Sequence, residues 1–359
     1  MATHALKKSL LAGGVLACAL AACHREPPPD PELATPKLAV ASLRDSRLYF
    51  NPAARAHLMT ARPELLAPED LDARSERTRL FAQASQNPRL WRQMDRREHF
   101  DTVLLSGDPA LCRPLLEHLG GSTDWTLAYL DHTSVIFRRA PAQAWKPADL
   151  EAVRQKFAAL PPKQRADFLV QLAVKLLALN QRDPAKAQLD EALRLDEKSA
   201  AGWTALAVFH AQLKQHPQAL AAAEKALTID KKFRAALEAK AQLLLAMRRA
   251  NEACEVAQAL VDLAPGDTSP LFILARSAHE AHAYTKEIAT LAKLIGLLQN
   301  AGQPVSACRI YLGQAYAENG DAAHALDQFQ QAAAAEDLDS EQRAFVHETI
   351  QRIKQRSGL

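Results

Sequence analysis

The 359-residue chain has no strong excess of charge of either sign. Its 44 lysine and arginine residues stand against 41 aspartate and glutamate residues, which leaves a formal net charge of +3. Nucleic-acid-binding proteins usually concentrate far more basic charge on one face, so this composition does not favour a nucleic-acid partner. The hydrophobic fraction of 48% and the charged fraction of 24% are ordinary for a globular protein, and the length allows two domains.

The chain also lacks the short motifs of the common enzyme classes. It contains no glycine-rich loop of the form G-x-G-x-x-G or G-x-x-x-x-G-K-S/T, no G-x-S-x-G nucleophile turn and no H-E-x-x-H zinc motif. Its 12 histidines are scattered, and only His118 and His132 fall close enough in one predicted module to meet. We therefore expect a protein that is not an enzyme and that needs no cofactor.

Cysteine is scarce, and its spacing does not predict a metal site. Cys112, Cys254 and Cys308 form no C-x-x-C pair, and each lies in a segment that reads as helix. One disulfide is possible in an oxidising compartment. A buried, apolar thiol at each position is the favoured interpretation.

The first 23 residues are typical of a secretory signal. Lys7 and Lys8 form a basic start, and the small and apolar stretch from Leu10 to Ala22 is too short to span a membrane. The sequence Leu-Ala-Ala that precedes Cys23 resembles the lipobox of bacterial lipoproteins, in which the cysteine thiol is acylated and becomes the new N-terminus. The alternative is an ordinary secretory signal with a cysteine at its end by chance.

The segment after Cys23 is rich in proline. Five prolines between His24 and Pro36 favour an extended, stiff tether, which we assign to residues 23–36. In the lipoprotein resemblance, an aspartate after the cysteine marks retention in the inner membrane, and His24 stands there instead. We therefore expect a lipid anchor in the outer membrane, with the protein on the periplasmic side.

Residues 37–146 have no long-period repeat and predict a small α/β domain. The pattern strand, Asp-Pro, helix, hairpin resembles the soluble domain of relatives of lipid-linked-sugar glycosyltransferases. In that family the chemistry belongs to a membrane part, so the resemblance implies a retained fold without catalysis. The predicted elements are strands Leu38–Leu43 and Arg47–Phe50, a helical region Ala67–Arg97, strand Phe100–Leu105, helix Ala110–Leu119, and a hairpin of Trp125–Leu130 with Ser134–Arg138.

An arginine-rich run lies in the helical region of this domain. Such a run could engage phosphate or lipid head groups. Acidic residues are interspersed at Asp72, Glu76, Asp95 and Glu98, so a salt-bridged helix face is the favoured interpretation. The run comprises Arg74, Arg77, Arg79, Arg89, Arg92, Arg96 and Arg97.

From Ala166 onward the same residue classes recur every 34 residues. Small side chains at the eighth and twentieth positions allow two antiparallel helices to approach closely, and polar or helix-stopping stretches fall where turns are required. The period therefore predicts helix hairpins. The recurring residues are Leu169, Trp203 and Leu237 at position four, Ala173, Ala207 and Ala241 at position eight, Ala185, Ala219 and Ala253 at position twenty, and Ala192, Ala226 and Leu260 at position twenty-seven.

These hairpins resemble the tetratricopeptide repeat (TPR) family from Ala166 to about Ala335. We predict repeats over residues 147–338, including a weaker first helix from Pro147 to Leu160. The fourth copy is expected to pack irregularly, because its second helix, roughly Lys286–Gln299, is long and has Glu287 where a small residue belongs. The last copy matches the family signature best, with Leu312, Gly313, Tyr316, Ala325, Phe329 and Ala332.

The segment 339–359 predicts a capping helix. Val346, Ile350 and Ile353 fall on one face at helical spacing within Asp339–Gln355. A helical solenoid needs such a cap because its terminal unit otherwise exposes an apolar face. The expected fold class is therefore mainly α, a TPR-like α-solenoid after a small α/β domain.

The TPR resemblance implies that ligands contact the inner helix of each repeat. This predicts a mixed apolar groove that takes an extended peptide or an amphipathic helix of a protein partner. The alternative is that the N-terminal module or the last helix of the same chain fills the groove. The implied groove residues are Val170, Val174 and Leu177, then Thr204, Val208 and Gln212, then Glu238, Gln242 and Leu245, and finally Phe272, Arg276 and His279.

The sequence thus favours a protein-binding adaptor or scaffold at the periplasmic face of the bacterial envelope. The alternative function is an accessory protein of a glycosyltransferase or polysaccharide-export system. In that case the N-terminal module would bind a sugar or a lipid carrier.

Overall fold

The computed structural model describes residue 43 and residues 47–357 apart from 73, 108, 143, 147, 148, 336 and 339. The predicted signal segment, Cys23, the tether and residues 38–42 of the first predicted strand lie outside the described residues. The chain divides into two compact units, one that extends to Ala236 and one that comprises Leu237–Leu359. The first unit contains the α/β domain and the first two helix hairpins.

The α/β domain has a four-stranded sheet in the order β1-β2-β4-β3. Strand β1 runs parallel to β2, and the other pairs are antiparallel. The predicted hairpin is confirmed, whereas the first helix of the domain was not predicted. The elements are β1 (Leu48–Phe50), α1 (Pro52–Ala61), α2 (Glu76–Gln86), α3 (Pro88–Glu98), β2 (Thr102–Ser106), α4 (Arg113–Gly120), β3 (Trp125–Leu130) and β4 (Ser134–Arg139).

An aromatic cluster forms the core between the sheet and helices α2 and α3. The Tyr49 ring of β1 stacks on Phe81 of α2 with centroids 4.7 Å apart, and it meets the rings of Trp91 and Phe100 edge to face. The Tyr49 hydroxyl donates a hydrogen bond of 2.7 Å to the Phe81 carbonyl. Burial raises the pKa of Tyr49 far above its usual range, so the hydroxyl stays a donor. This cluster fixes α2 and α3 against one face of the sheet.

The rest of the chain is built from helices. A short helix, α5 (Asp149–Lys156), precedes the hairpins, and the repeats that follow are a TPR-like α-solenoid. The hairpins pair α6 (Pro162–Ala178) with α7 (Arg182–Leu195), α8 (Ala200–Gln212) with α9 (His216–Ile229), α10 (Arg234–Ala246) with α11 (Ala250–Leu263), α12 (Thr268–Glu280) with α13 (Tyr284–Asn300), and α14 (Ser306–Glu318) with α15 (Ala322–Ala333), and α16 (Ser340–Ser357) ends the chain.

The turns inside the hairpins repeat as strictly as the helices. Four residues adopt the left-handed backbone conformation at intervals of 34: Asn180, Lys214, Arg248 and His282. After each of them, the next backbone amide donates to a carbonyl five residues earlier, at 2.8 or 2.9 Å. This is the Schellman arrangement, which satisfies carbonyls at a helix end and reverses the chain. The period of the sequence is therefore also a period of the backbone.

Small residues lie where paired helices touch, as the sequence predicts. Ala185, Ala219 and Ala253 are fully buried. In the last hairpin, a methyl group added to Gly313 of α14 would lie 3.0 Å from the Phe329 ring of α15, so a larger side chain there requires the ring to shift. The close approach of the helices thus depends on these side chains being small.

The fourth hairpin departs from the others, as the sequence also indicates. Helix α13 has 17 residues, whereas α11 has 14. The corresponding left-handed residue inside the next hairpin consequently falls at Gly320, 38 residues after His282, and Gly302 adds another between α13 and α14. Glu287 is buried in place of a small residue, and its carboxylate lies 3.2 Å from Nδ1 of His279.

Helix α16 caps the last hairpin. Val346 and Ile350 are buried in a cluster with Ile310 and Phe329, and Ile353 packs against the same cluster. The predicted apolar face of this helix is therefore confirmed.

Candidate protein-binding surface

The predicted groove residues are buried in the first three copies. At position five of the repeat, Val170 is 4%, Thr204 0% and Glu238 3% exposed. Position nine gives the same result, because Val174, Val208 and Gln242 are also buried, as are Leu177 and Leu245 at position twelve. Gln212 is half-buried, and its amide donates to the Leu177 carbonyl at 3.2 Å. Eight of these nine side chains are buried and Gln212 is half-buried, so they offer little surface; that they line a partner-binding groove stays a prediction.

In the first copy the α/β domain covers the inner helix. Lys175 of α6 is buried, and its ammonium donates a hydrogen bond of 2.9 Å to the Gly107 carbonyl at the end of β2. On the same side, Phe168 of α6 stacks on Phe157 at 4.3 Å and contacts the His132 ring at 4.8 Å. These contacts lie on the face of α6 away from Val170, Val174 and Leu177, so the alternative stated above, that the N-terminal module fills the groove, stays a prediction.

The sequence of α6 contains a signal for this burial. From Ala166 to Ala178 only Asp167 and Gln171 are partly exposed. A helix that is apolar on all sides is buried on all sides, whereas an inner helix that bordered an open groove would keep a polar or mixed face. Lys175 is the exception in the apolar run, and its ammonium has an acceptor from the α/β domain. An isolated lysine within an otherwise apolar helix was the local clue to that contact.

The fourth copy presents a different surface. Phe272, at the same position five, is 46% exposed, and Arg276 and His279 follow it on the same face of α12 and are half-buried. Phe272 is a large aromatic side chain at a position that is covered in the three preceding copies. We call Phe272, Arg276 and His279 with Tyr311 of α14 the α12 surface.

Arg276 is held in a partly dehydrated position on this surface. Its Nε atom is buried and has no hydrogen-bond partner among the described residues. Burial lowers the pKa of the guanidinium, the charge of Glu280 opposes this, and the charge of Arg248 adds to it. Burial also raises the pKa of the nearby Tyr311 phenol. The side chain remains a cation, and its buried Nε is a donor without an acceptor among the described residues.

The carboxylates near Arg276 are already engaged. Glu280 accepts a hydrogen bond of 2.9 Å from Nη1 of Arg248. Glu287 faces His279, as described above. The α12 surface therefore combines an exposed aromatic ring with a half-buried guanidinium, which suits a partner with an apolar side chain beside a hydrogen-bond acceptor.

Sequence reasoning identified three members of the α12 surface and missed two contributors. Tyr311 stands at position six of its repeat, outside the positions implied by the family, and Arg248 lies in a turn. Both come close to Arg276 only because neighbouring hairpins stack. His118 and His132, the pair singled out in the α/β domain, lie in different aromatic clusters: His118 against Trp91 and His132 against Phe168.

The described residues contain no grouping of three or more histidine, cysteine, aspartate or glutamate side chains that could hold a metal ion. Cys112, Cys254 and Cys308 are buried and form no disulfide within the part of the chain that the structure describes. Burial raises the pKa of the Cys308 thiol to about 11, which disfavours the reactive thiolate. Across the same residues, no helix is both long and apolar enough to cross a membrane.

Comparison with known proteins gives likenesses of fold and no closer relationship. No family model matches the sequence, and no curated protein matches it. Among solved structures, YrrB, a TPR protein described as having an unusual peptide-binding site, is 18% identical with a TM-score of 0.46, over 54% of this chain and 96% of that one. MamA from Desulfovibrio magneticus RS-1 is 19% identical with a TM-score of 0.42, over 46% and 92%. PilF of Pseudomonas aeruginosa is 18% identical with a TM-score of 0.43, over 53% and 89%.

Proposed function

We propose that this protein is a non-catalytic adaptor that binds a protein partner on the α12 surface. The observation that carries the proposal is the contrast at position five of the repeat. Three copies bury that side chain, whereas the fourth presents Phe272 with 46% of its surface exposed. A large aromatic ring left exposed on the inner helix of a repeat is suited to serve as the apolar anchor of an interaction site.

The chemistry of the α12 surface defines the kind of partner. An apolar side chain packed on Phe272 would be removed from water, which favours binding by roughly 25 cal/mol for each Å² of apolar area buried. A carbonyl or carboxylate placed beside Arg276 would pair with the charge of its half-buried guanidinium. An extended peptide or the apolar face of a helix can supply both groups together.

A pull-down from detergent-solubilised membranes tests this surface. We expect the single substitution Phe272→Ala to reduce recovery of the partner about tenfold or more, because truncation of a central aromatic anchor costs roughly 2 kcal/mol or more of binding. Leu263→Ala is the matched control, since Leu263 is an apolar residue of the same compact unit with 41% of its surface exposed. Equal recovery by wild type and Phe272→Ala would exclude the α12 surface.

We further propose that the adaptor is a lipoprotein held at the periplasmic face of the outer membrane through Cys23. The basic start, the apolar stretch and the cysteine that precedes a proline-rich tether support this proposal. Cys23→Ser should move the protein from the membrane fraction to the soluble periplasmic fraction. Continued sedimentation of that variant with membranes would contradict lipid anchoring.

A further inference from the structure

Helix α3 carries a stripe of exposed arginines that the proposed function does not use. Arg89, Arg92 and Arg96 are all exposed. At 100° of rotation per residue, they fall within about 60° of one another and span roughly 10 Å along the helix. We call these three residues the α3 arginine stripe.

The acidic residues of α3 do not neutralise the stripe. Asp95 pairs with Arg139 of β4, and Glu98 accepts hydrogen bonds from Arg77 and Arg97. The salt-bridged face that the sequence favours therefore holds for Arg77 and Arg97. Within the part of the chain that the structure describes, no ion pair involves Arg89, Arg92 or Arg96.

The neighbouring helix α4 has a histidine beside Trp91 and a carboxylate that is already paired. His118 of α4 lies against Trp91, with ring centroids 5.6 Å apart. Burial lowers the pKa of His118, and the charge of Arg92 lowers it further. The side chain of Arg113 on α4 already engages Glu117 at 2.6 Å. The three guanidinium groups thus form a local excess of positive charge that repels itself.

We propose that the α3 arginine stripe docks the α/β domain onto the phosphate groups of an anionic lipid surface. Guanidinium groups match phosphate oxygens in a planar, bidentate geometry. A protein partner would be expected to use an apolar anchor, yet none of the large apolar residues found exposed in the described chain lies on α3. A positively charged stripe without an exposed apolar anchor fits a layer of lipid head groups better than it fits a protein partner.

The position of the domain in the chain agrees with this partner. Strand β1 begins at Leu48, 25 residues after Cys23. A fully extended chain of that length reaches at most roughly 90 Å. In this respect the inference rests on the proposed lipid anchor, which would keep the domain close to a bilayer. The stripe would then determine which side of the domain faces the lipid.

Vesicle binding tests the proposal without the anchor. The full-length chain carrying Cys23→Ser is mixed with vesicles of phosphatidylcholine alone or with about 30 mol % phosphatidylglycerol, and bound protein is measured by sedimentation. We expect tighter binding to the anionic vesicles and a loss on the order of 100-fold in that preference when Arg89, Arg92 and Arg96 are all changed to glutamine. Binding should also weaken as salt is added.

A second triple variant controls for charge. Lys163→Gln, Lys198→Gln and Lys232→Gln remove the same charge from exposed positions in the same compact unit, and this variant should keep the preference for anionic vesicles. The proposal would be overturned if both triple variants lost the preference for anionic vesicles equally. It would also be overturned if the arginine variant bound these vesicles as tightly as the Cys23→Ser parent. Stripe-dependent binding to polyglutamate without binding to anionic vesicles would also overturn it, in favour of an acidic protein partner. Because every protein tested lacks the Cys23 thiol, these outcomes are independent of whether the protein is lipidated.

Discussion

Substitution of Val174 by aspartate distinguishes a covered first repeat from an open groove. Val174 lies in α6 and is fully buried. The change removes a buried valine side chain, whose burial stabilises the fold by about 1.5–3 kcal/mol. It also introduces a buried carboxylate without a hydrogen-bond or ion-pair partner, which costs a further few kcal/mol or forces the group to stay protonated. We expect a loss of at least about 4 kcal/mol in the free energy of unfolding, a large part of the 5–15 kcal/mol that holds a typical domain together.

Thermal and urea denaturation followed by circular dichroism measure this loss. For a unit of this size, about 4 kcal/mol corresponds to a fall in Tm of roughly 8–16 °C. Gln171→Asp is the matched control, because Gln171 lies on the same helix and is partly exposed, so its substitution should change stability by less than about 1 kcal/mol. If Val174→Asp kept wild-type stability and lost partner binding instead, the inner face of α6 would be open and the burial of Val174 would be refuted.

One further substitution and one labelling reaction test the packing of the repeats. Gly313→Ala should lower the free energy of unfolding by about 1–3 kcal/mol, because its new methyl group would meet the Phe329 ring at 3.0 Å. Gly296→Ala is the control, since a methyl group added there meets nothing within 4 Å. If Gly313→Ala denatured like the wild type, the Phe329 ring would be able to move. Cys308 should react with iodoacetamide much more slowly in the native protein at pH 7.5 than in urea, because burial raises its thiol pKa to about 11. Rapid labelling of the native protein, measured by mass spectrometry, would contradict the burial of the Cys308 thiol.

Phe272 differs from the buried phenylalanine of the next hairpin in what it contributes to folding. An aromatic ring left partly in water loses part of the stabilisation that burial would provide. Phe329 in the next hairpin is, by contrast, fully buried against α16. Both phenylalanines lie in the same compact unit. Their different environments separate a residue that holds the fold together from one that is available to a partner.

The hairpins could be predicted because their determinants are local and repeated. An alanine at a helix crossing acts within its own hairpin, and a left-handed residue reverses the chain at Asn180 in the same way as at Lys214. Helix α1 was missed although the side chain of Asn51 caps it and Pro52 begins it. Only Ala54 and Leu58 of that helix are buried, so the apolar period is too sparse to recognise without the capping signals.

The sequence identifies the residue types that can bind a partner, whereas it does not determine which of them are exposed. Val170 and Phe272 occupy equivalent positions and are both apolar, yet the first is covered and the second is open. Periodicity assigns both to an inner helix because it depends on neighbours three or four residues away. Tertiary structure decides the difference, because the side chains packed around a helix come from residues far away in the sequence, as Gly107 does where it accepts a hydrogen bond from Lys175 of α6.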